Sequence, residues 1–170
     1  MTLSPLLEAN FAIQIHSLFA IVCFFLGGVV LFRGKGDRAH RIAGRVWVAL
    51  MLVVAVSSLF IHVIRLIGIW SPIHLLSIAT IWFLVKGVWL ARQGRIAEHR
   101  TAMQTTYLGA LVLAGGFTFL PGRIMHEVFF EGPQPWVGIV VSAVLVAGLL
   151  FLLFRLAKES GFARRRTVTR

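Results

Sequence analysis

The chain has 170 residues, 58% of them hydrophobic and only 14% charged, against about 45–50% and about a quarter in a soluble domain. That balance excludes a water-soluble enzyme and a disordered segment, and the single cysteine, Cys23, excludes a disulfide scaffold. The net charge of +11 sits in short segments between apolar runs, so it points to membrane orientation and anionic lipid headgroups and away from nucleic acid.

At about 20 residues per crossing, the roughly 99 hydrophobic residues correspond to about five membrane helices. The opening MTLSPLLEAN lacks a basic leader, so the first apolar run, about 11–32, is expected to stay as a helix. It stops at RGKGDRAHR. A second run covers about 43–67, and GIWSP at 68–72 supplies a Gly, an interfacial Trp and a helix-starting Pro. The third, fourth and fifth runs cover about 73–91, 102–120 and 136–155. The expected fold is an all-α polytopic transmembrane bundle with a four-helix core and a fifth helix. Residues 1–125 form the histidine-containing core, and 126–170 the outer connection, fifth transmembrane helix and basic tail.

Fourteen Lys and Arg flank one set of span ends, including Arg33, Arg41, Arg92, Arg100 and the tail from Arg155 to Arg170, while Arg65 and Arg123 flank the other. The positive-inside rule then places a multi-pass protein in a cytoplasmic membrane, amino terminus outside and tail in the cytoplasm. Lys86, inside the third run, is expected to snorkel toward the basic end.

A weak repeat runs through the first four spans. His16 and His40 are 24 residues apart, His74 and His99 are 25 apart, and a His-Arg pair opens the helix after each basic turn. Two successive hairpins follow, with His16 and His74 at the outer ends and His40 and His99 at the inner ends. His40, Gly44, Trp47, Met51, Ser58, His62 and Arg65 recur at mainly three- and four-residue steps, as an inward face should. His99, Met103 and Thr106 start a comparable stripe, and Gly109, Gly115 and Gly116 are candidates for close helix contact.

A histidine in hydrocarbon must face another helix, water, a metal or a cofactor. One reading is bis-histidine ligation of b-type haem, with His40 and His99 as the inner pair and His16 and His74 as the outer pair. His62 is then an alternative ligand or a supporting donor, and Arg41 and Arg100 hold haem propionates or lipid phosphates. Such a protein exchanges electrons with a redox partner or a quinone. A second reading gives His16, His62 and His74 to zinc, although HExxH is absent and His126-Glu127 is only a fragment of it. A third leaves the histidines as hydrogen-bonding groups of an accessory protein, and a fourth makes the chain a small-solute transporter that uses Lys86 and Gln14. Asp37 and Glu98 are expected to pair with Arg38, Arg41 or Arg100.

HRIAGRVWVALM, SPIHLLSIAT, EHRTAMQTTYLGA and GGFTFLPGRIM, in that order over about residues 12–125, resemble the bacterial membrane-protein family known as domain of unknown function 2306. The resemblance rests on His40, Arg41, Gly44 and Arg45, then Ser71, Pro72 and His74, then His99, Arg100 and Met103, and finally Pro121, Gly122 and Arg123. It implies a small helical inner-membrane protein with a four-span core, to which the fifth run is an addition. It implies no reaction.

Overall fold

A computed structural model describes residues 2–61 and 72–131, together with Trp136, Ile139, Val140, Ala143, Val144, Ala147 and Phe151. Among them there are helices and no strands. A one-turn helix α1 (Ser4–Leu7) precedes α2 (Phe11–Phe32), α3 (Arg38–Ser58) and α4 (Pro72–Arg92). The next helix is continuous over 96–117 but changes pitch. It starts as α5 (Ile96–Thr106), widens to a π-helical segment (Tyr107–Leu113), and returns as α6 (Ala114–Phe117). A short α7 (Ile124–Phe130) follows.

Three of these helices are long and apolar enough to cross a membrane, over Phe11–Phe32, Arg38–Ser58 and Ile73–Arg92. The helix expected at 102–120 begins six residues earlier, at Ile96. The one expected at 43–67 begins at Arg38 and ends at Ser58. Both of its ends have a local cause. Asp37 caps the start by accepting from the His40 backbone N–H at 2.7 Å. At the other end, Ser57 and Ser58 donate to the carbonyls of Val54 and Ala55, at 3.0 and 2.7 Å, in competition with the helical ladder. His62 and Arg65 lie outside the described residues, as does most of the fifth run; its seven described positions are helical and exposed.

Helix α2 packs on α3, α3 on α4 and α4 on α5, and the π segment returns to α2. That order closes a ring of four in which α2 and α4 form one diagonal and α3 and α5 the other. The two hairpins turn alike: Gly36 and Gly94, 58 residues apart like His16 and His74, both take positive φ, +94° and +74°. Glycine adopts that conformation without the Cβ clash other residues meet.

Cys23, Leu31, Trp47, Met51, Leu84, Met103, Tyr107 and Leu111 fill the centre. Trp47 Nε1 donates to the Cys23 carbonyl at 2.9 Å and Tyr107 Oη to the Phe24 carbonyl at 3.0 Å, so each buried polar tip is satisfied. The outside is apolar as well. Phe25, Val29, Leu75, Trp82, Val85 and Trp89 are among many large exposed side chains, an arrangement stable in hydrocarbon and not in water.

Candidate functional site

The ring carries two polar layers, one at each end of the apolar centre. At the end where α2 begins, His16 donates through Nδ1 to the Val54 carbonyl of α3 at 3.0 Å, with Ser57 Oγ 3.3 Å from the same nitrogen. A carbonyl only accepts, so the proton is on Nδ1 and the His16 lone pair is on Nε2. From the opposite corner, buried His74 on α4 donates through Nε2 to the Leu59 carbonyl at 3.0 Å. Between them, Ser58 and Ser77 form a buried hydroxyl pair that joins α3 to α4. The inward stripe of α4 continues this layer, with His74, Ser77 and Thr80 buried above Leu84 and Leu90.

At the other end, His40 on α3 and His99 on α5 occupy opposite corners and lie within electrostatic reach of each other. His99 donates through Nδ1 to the Gly87 carbonyl of α4 at 2.8 Å, which leaves its Nε2 as the lone-pair nitrogen. The missing side chain at Gly87 is part of the fit, because a Cβ there would run into Met103. His40 Nδ1 is buried and has no hydrogen-bond partner, and the same holds for Arg33 Nε. Arg33 also lies within electrostatic reach of His40.

The acids at this end serve the turns. Asp37 pairs with Arg33 at 2.7 Å and Glu98 with Arg95 at 2.6 Å, which replaces the pairings expected with Arg38, Arg41 or Arg100. The reason is local: the Asp37 carboxylate caps the helix start through the His40 N–H and meets Arg33 there, while Arg41 reaches the Asp37 backbone carbonyl through Nε. The His40 backbone N–H, and then Arg33, hold the Asp37 carboxyl below its usual range. The Arg95 hydrogen bond does the same for Glu98.

The structure therefore places His40 and His99 within electrostatic reach of each other at one end of the ring, and His16 and His74 at opposite corners of the other layer. Arg41 and Arg100 are exposed; Arg33, which carried no signal beyond its position in a basic turn, is the arginine beside His40. His126 stays apart in α7 and donates to the Phe119 carbonyl at 3.0 Å. Among the described residues no three of His, Cys, Asp and Glu gather as a metal set. Gln14 donates to the carbonyls of Leu7 and Ala9, both at 2.8 Å, and so ties α1 to α2. Lys86 Nζ sits 4.5 Å over the Trp82 ring and lies within electrostatic reach of Glu98 at the basic turn.

Apolar spans, an apolar exterior and polar side chains turned inward define a helical integral membrane protein. More specifically, a family of predicted membrane proteins, DUF2306, matches residues 13–154, and the chain belongs to that family. The match runs past residue 125 and takes in the fifth apolar run. No curated protein and no solved structure matches the chain.

Proposed function

We propose that this chain is a b-type haem protein of a cytoplasmic membrane, with His40 and His99 as its inner ligand pair and His16 and His74 as its outer pair, and that it moves electrons between the two faces. The observation that carries this reading is the diagonal placement of each pair in a four-helix ring. Two imidazoles on opposite corners can approach one iron from its two sides. Haem, when bound, supplies one-electron redox chemistry. The protein's part is to orient the rings and keep water out.

The inner pair fits this role better. His99 has its Nδ1–H anchored on a carbonyl, the arrangement that fixes the tautomer and angle of a metal-binding imidazole. His40 Nδ1 is buried without a partner, a cost of about 1–3 kcal/mol that a ligand or donor would relieve. His16 is anchored as His99 is, but His74 uses Nε2 on Leu59 and must turn before that nitrogen can bind a metal. Filling is therefore expected at the inner pair first. The basic residues at the turn and tail ends support an orientation with His40 and His99 toward the cytoplasm, from which a redox partner or a membrane quinone exchanges electrons with the protein.

A cofactor-free accessory role is the second reading. It is favoured by the histidine, tryptophan and tyrosine bonds to backbone carbonyls of other helices, which need no ligand to be useful. The visible spectrum of detergent-purified protein, expressed with ample haem and compared before and after dithionite, separates the two. Haem in stoichiometric amount, lost in His99→Ala and His40→Ala, supports the first reading. Folded wild-type protein without a haem spectrum leaves the second.

A further inference from the structure

We propose that the outward face of α3 is a binding site for an anionic glycerophospholipid, with Arg38, Arg41 and Arg45 holding its phosphate. These residues fall at i, i+3 and i+7 and, together with Ile42, line one groove of about 510 Å³. All four are exposed. None of the three guanidiniums has a carboxylate partner among the described residues, unlike Arg33 and Arg95. Arg41 Nε contacts the Asp37 carbonyl at 3.4 Å, which holds its stem against the helix start, and the side chain as a whole is exposed. Guanidinium forks match phosphate oxygens in pairs.

The rest of the face fits the rest of the molecule. The core side of α3 is Trp47, Met51 and Val54, and the side above the arginines is exposed and apolar, with Ile42 at 52%, Val46 at 47% and Val53 at 39%. From Arg45 to the end of this strip at Val56 is about 16 Å at 1.5 Å per residue, close to the thickness of one leaflet. A charged cradle that continues into an apolar strip one leaflet long matches an amphiphile and not a small soluble anion. The proposal uses none of the histidine chemistry, so it stands or falls separately from the haem reading.

The test is native mass spectrometry of the full chain in neutral detergent, titrated with equal amounts of dioleoyl phosphatidylglycerol and dioleoyl phosphatidylcholine. Wild type is expected to retain phosphatidylglycerol about tenfold over phosphatidylcholine. R38Q/R41Q/R45Q should abolish that preference, and R164Q/R165Q/R166Q should keep it. R38K/R41K/R45K retains the charge but not the fork and should weaken retention severalfold; it decides the matter if the glutamine variant does not fold. Equal retention by wild type and both variants at 38, 41 and 45 overturns the proposal, as does loss confined to the tail variant. Displacement of the lipid by millimolar inorganic phosphate also overturns it, and would assign the cradle to free phosphate.

Discussion

Gly27 on α2 lies so close to Trp47 on α3 that a methyl group at its α-carbon would sit 2.5 Å from the indole Nε1 and 2.7 Å from the Tyr107 ring. Neither ring can retreat cheaply, because Trp47 is tied to the Cys23 carbonyl and Tyr107 to the Phe24 carbonyl. Gly27→Ala is therefore expected to destabilise the protein by about 1–3 kcal/mol, the usual range for overpacking. Gly87→Ala clashes only with the flexible end of Met103, its approach to the Ala102 Cβ at 3.5 Å being ordinary contact, and should cost less. Thermal unfolding of both variants in one detergent ranks them; an equal or reversed ranking would contradict this account of the core.

Acid should loosen the turn end first. Asp37 and Glu98 are held below their ordinary carboxyl values in the folded protein, so each contributes stability that is fully present above its unfolded pKa, near pH 4. That contribution fades as pH falls through the lower folded value. Asp37→Asn keeps a capping oxygen but removes the charge, so its stability should depend less on pH between about 5 and 3 than that of wild type. Asp37→Ala should be less stable than Asp37→Asn at neutral pH, since it lacks the cap too. Unfolding midpoints across that pH range check both statements.

Much of this was legible beforehand because hydrophobic period and basic turns are local signals. The stripe through Trp47, Met51 and Ser58 does face the core, and the hairpin pattern of His16, His40, His74 and His99 does give two layers. The glycines were a different matter. Gly109, Gly115 and Gly116 read as contact residues by spacing, yet a Cβ at any of them would meet nothing within 4 Å among the described residues. The close approaches are at Gly27 and Gly87, where the neighbour comes from another helix and no local pattern announces it. The π segment was equally hidden; it begins at Tyr107, whose hydroxyl reaches across to the Phe24 carbonyl of another helix. Arg33 was indistinguishable from its basic neighbours until α3 folded beside it.

The Ser58–Ser77 pair offers a clean measure of polar coupling in the outer layer. Each hydroxyl also has a carbonyl within reach in its own helix, Ala55 at 2.7 Å and Ile73 at 2.6 Å. With one proton per hydroxyl, one serine donates to the other while its partner donates to a carbonyl. Either alanine variant thus removes one link without stranding a group, and each should cost about 1 kcal/mol or less. The coupling in a double-mutant cycle should be about 0.6 kcal/mol, typical between membrane helices. Strict additivity would mean that the two helices are not joined through these hydroxyls.

Gly109 makes the opposite prediction to Gly27. It lies within the π segment, its φ is not positive, and the space where a Cβ would point is open. Alanine there meets no neighbour and restricts the unfolded chain, so Gly109→Ala should stabilise by about 0.4–1 kcal/mol. Because the two substitutions add the same methyl group to the same hairpin ring, their difference isolates the neighbour. If unfolding in detergent shows Gly109→Ala to be as damaging as Gly27→Ala, a contact must cover that face, and the described helices do not provide it.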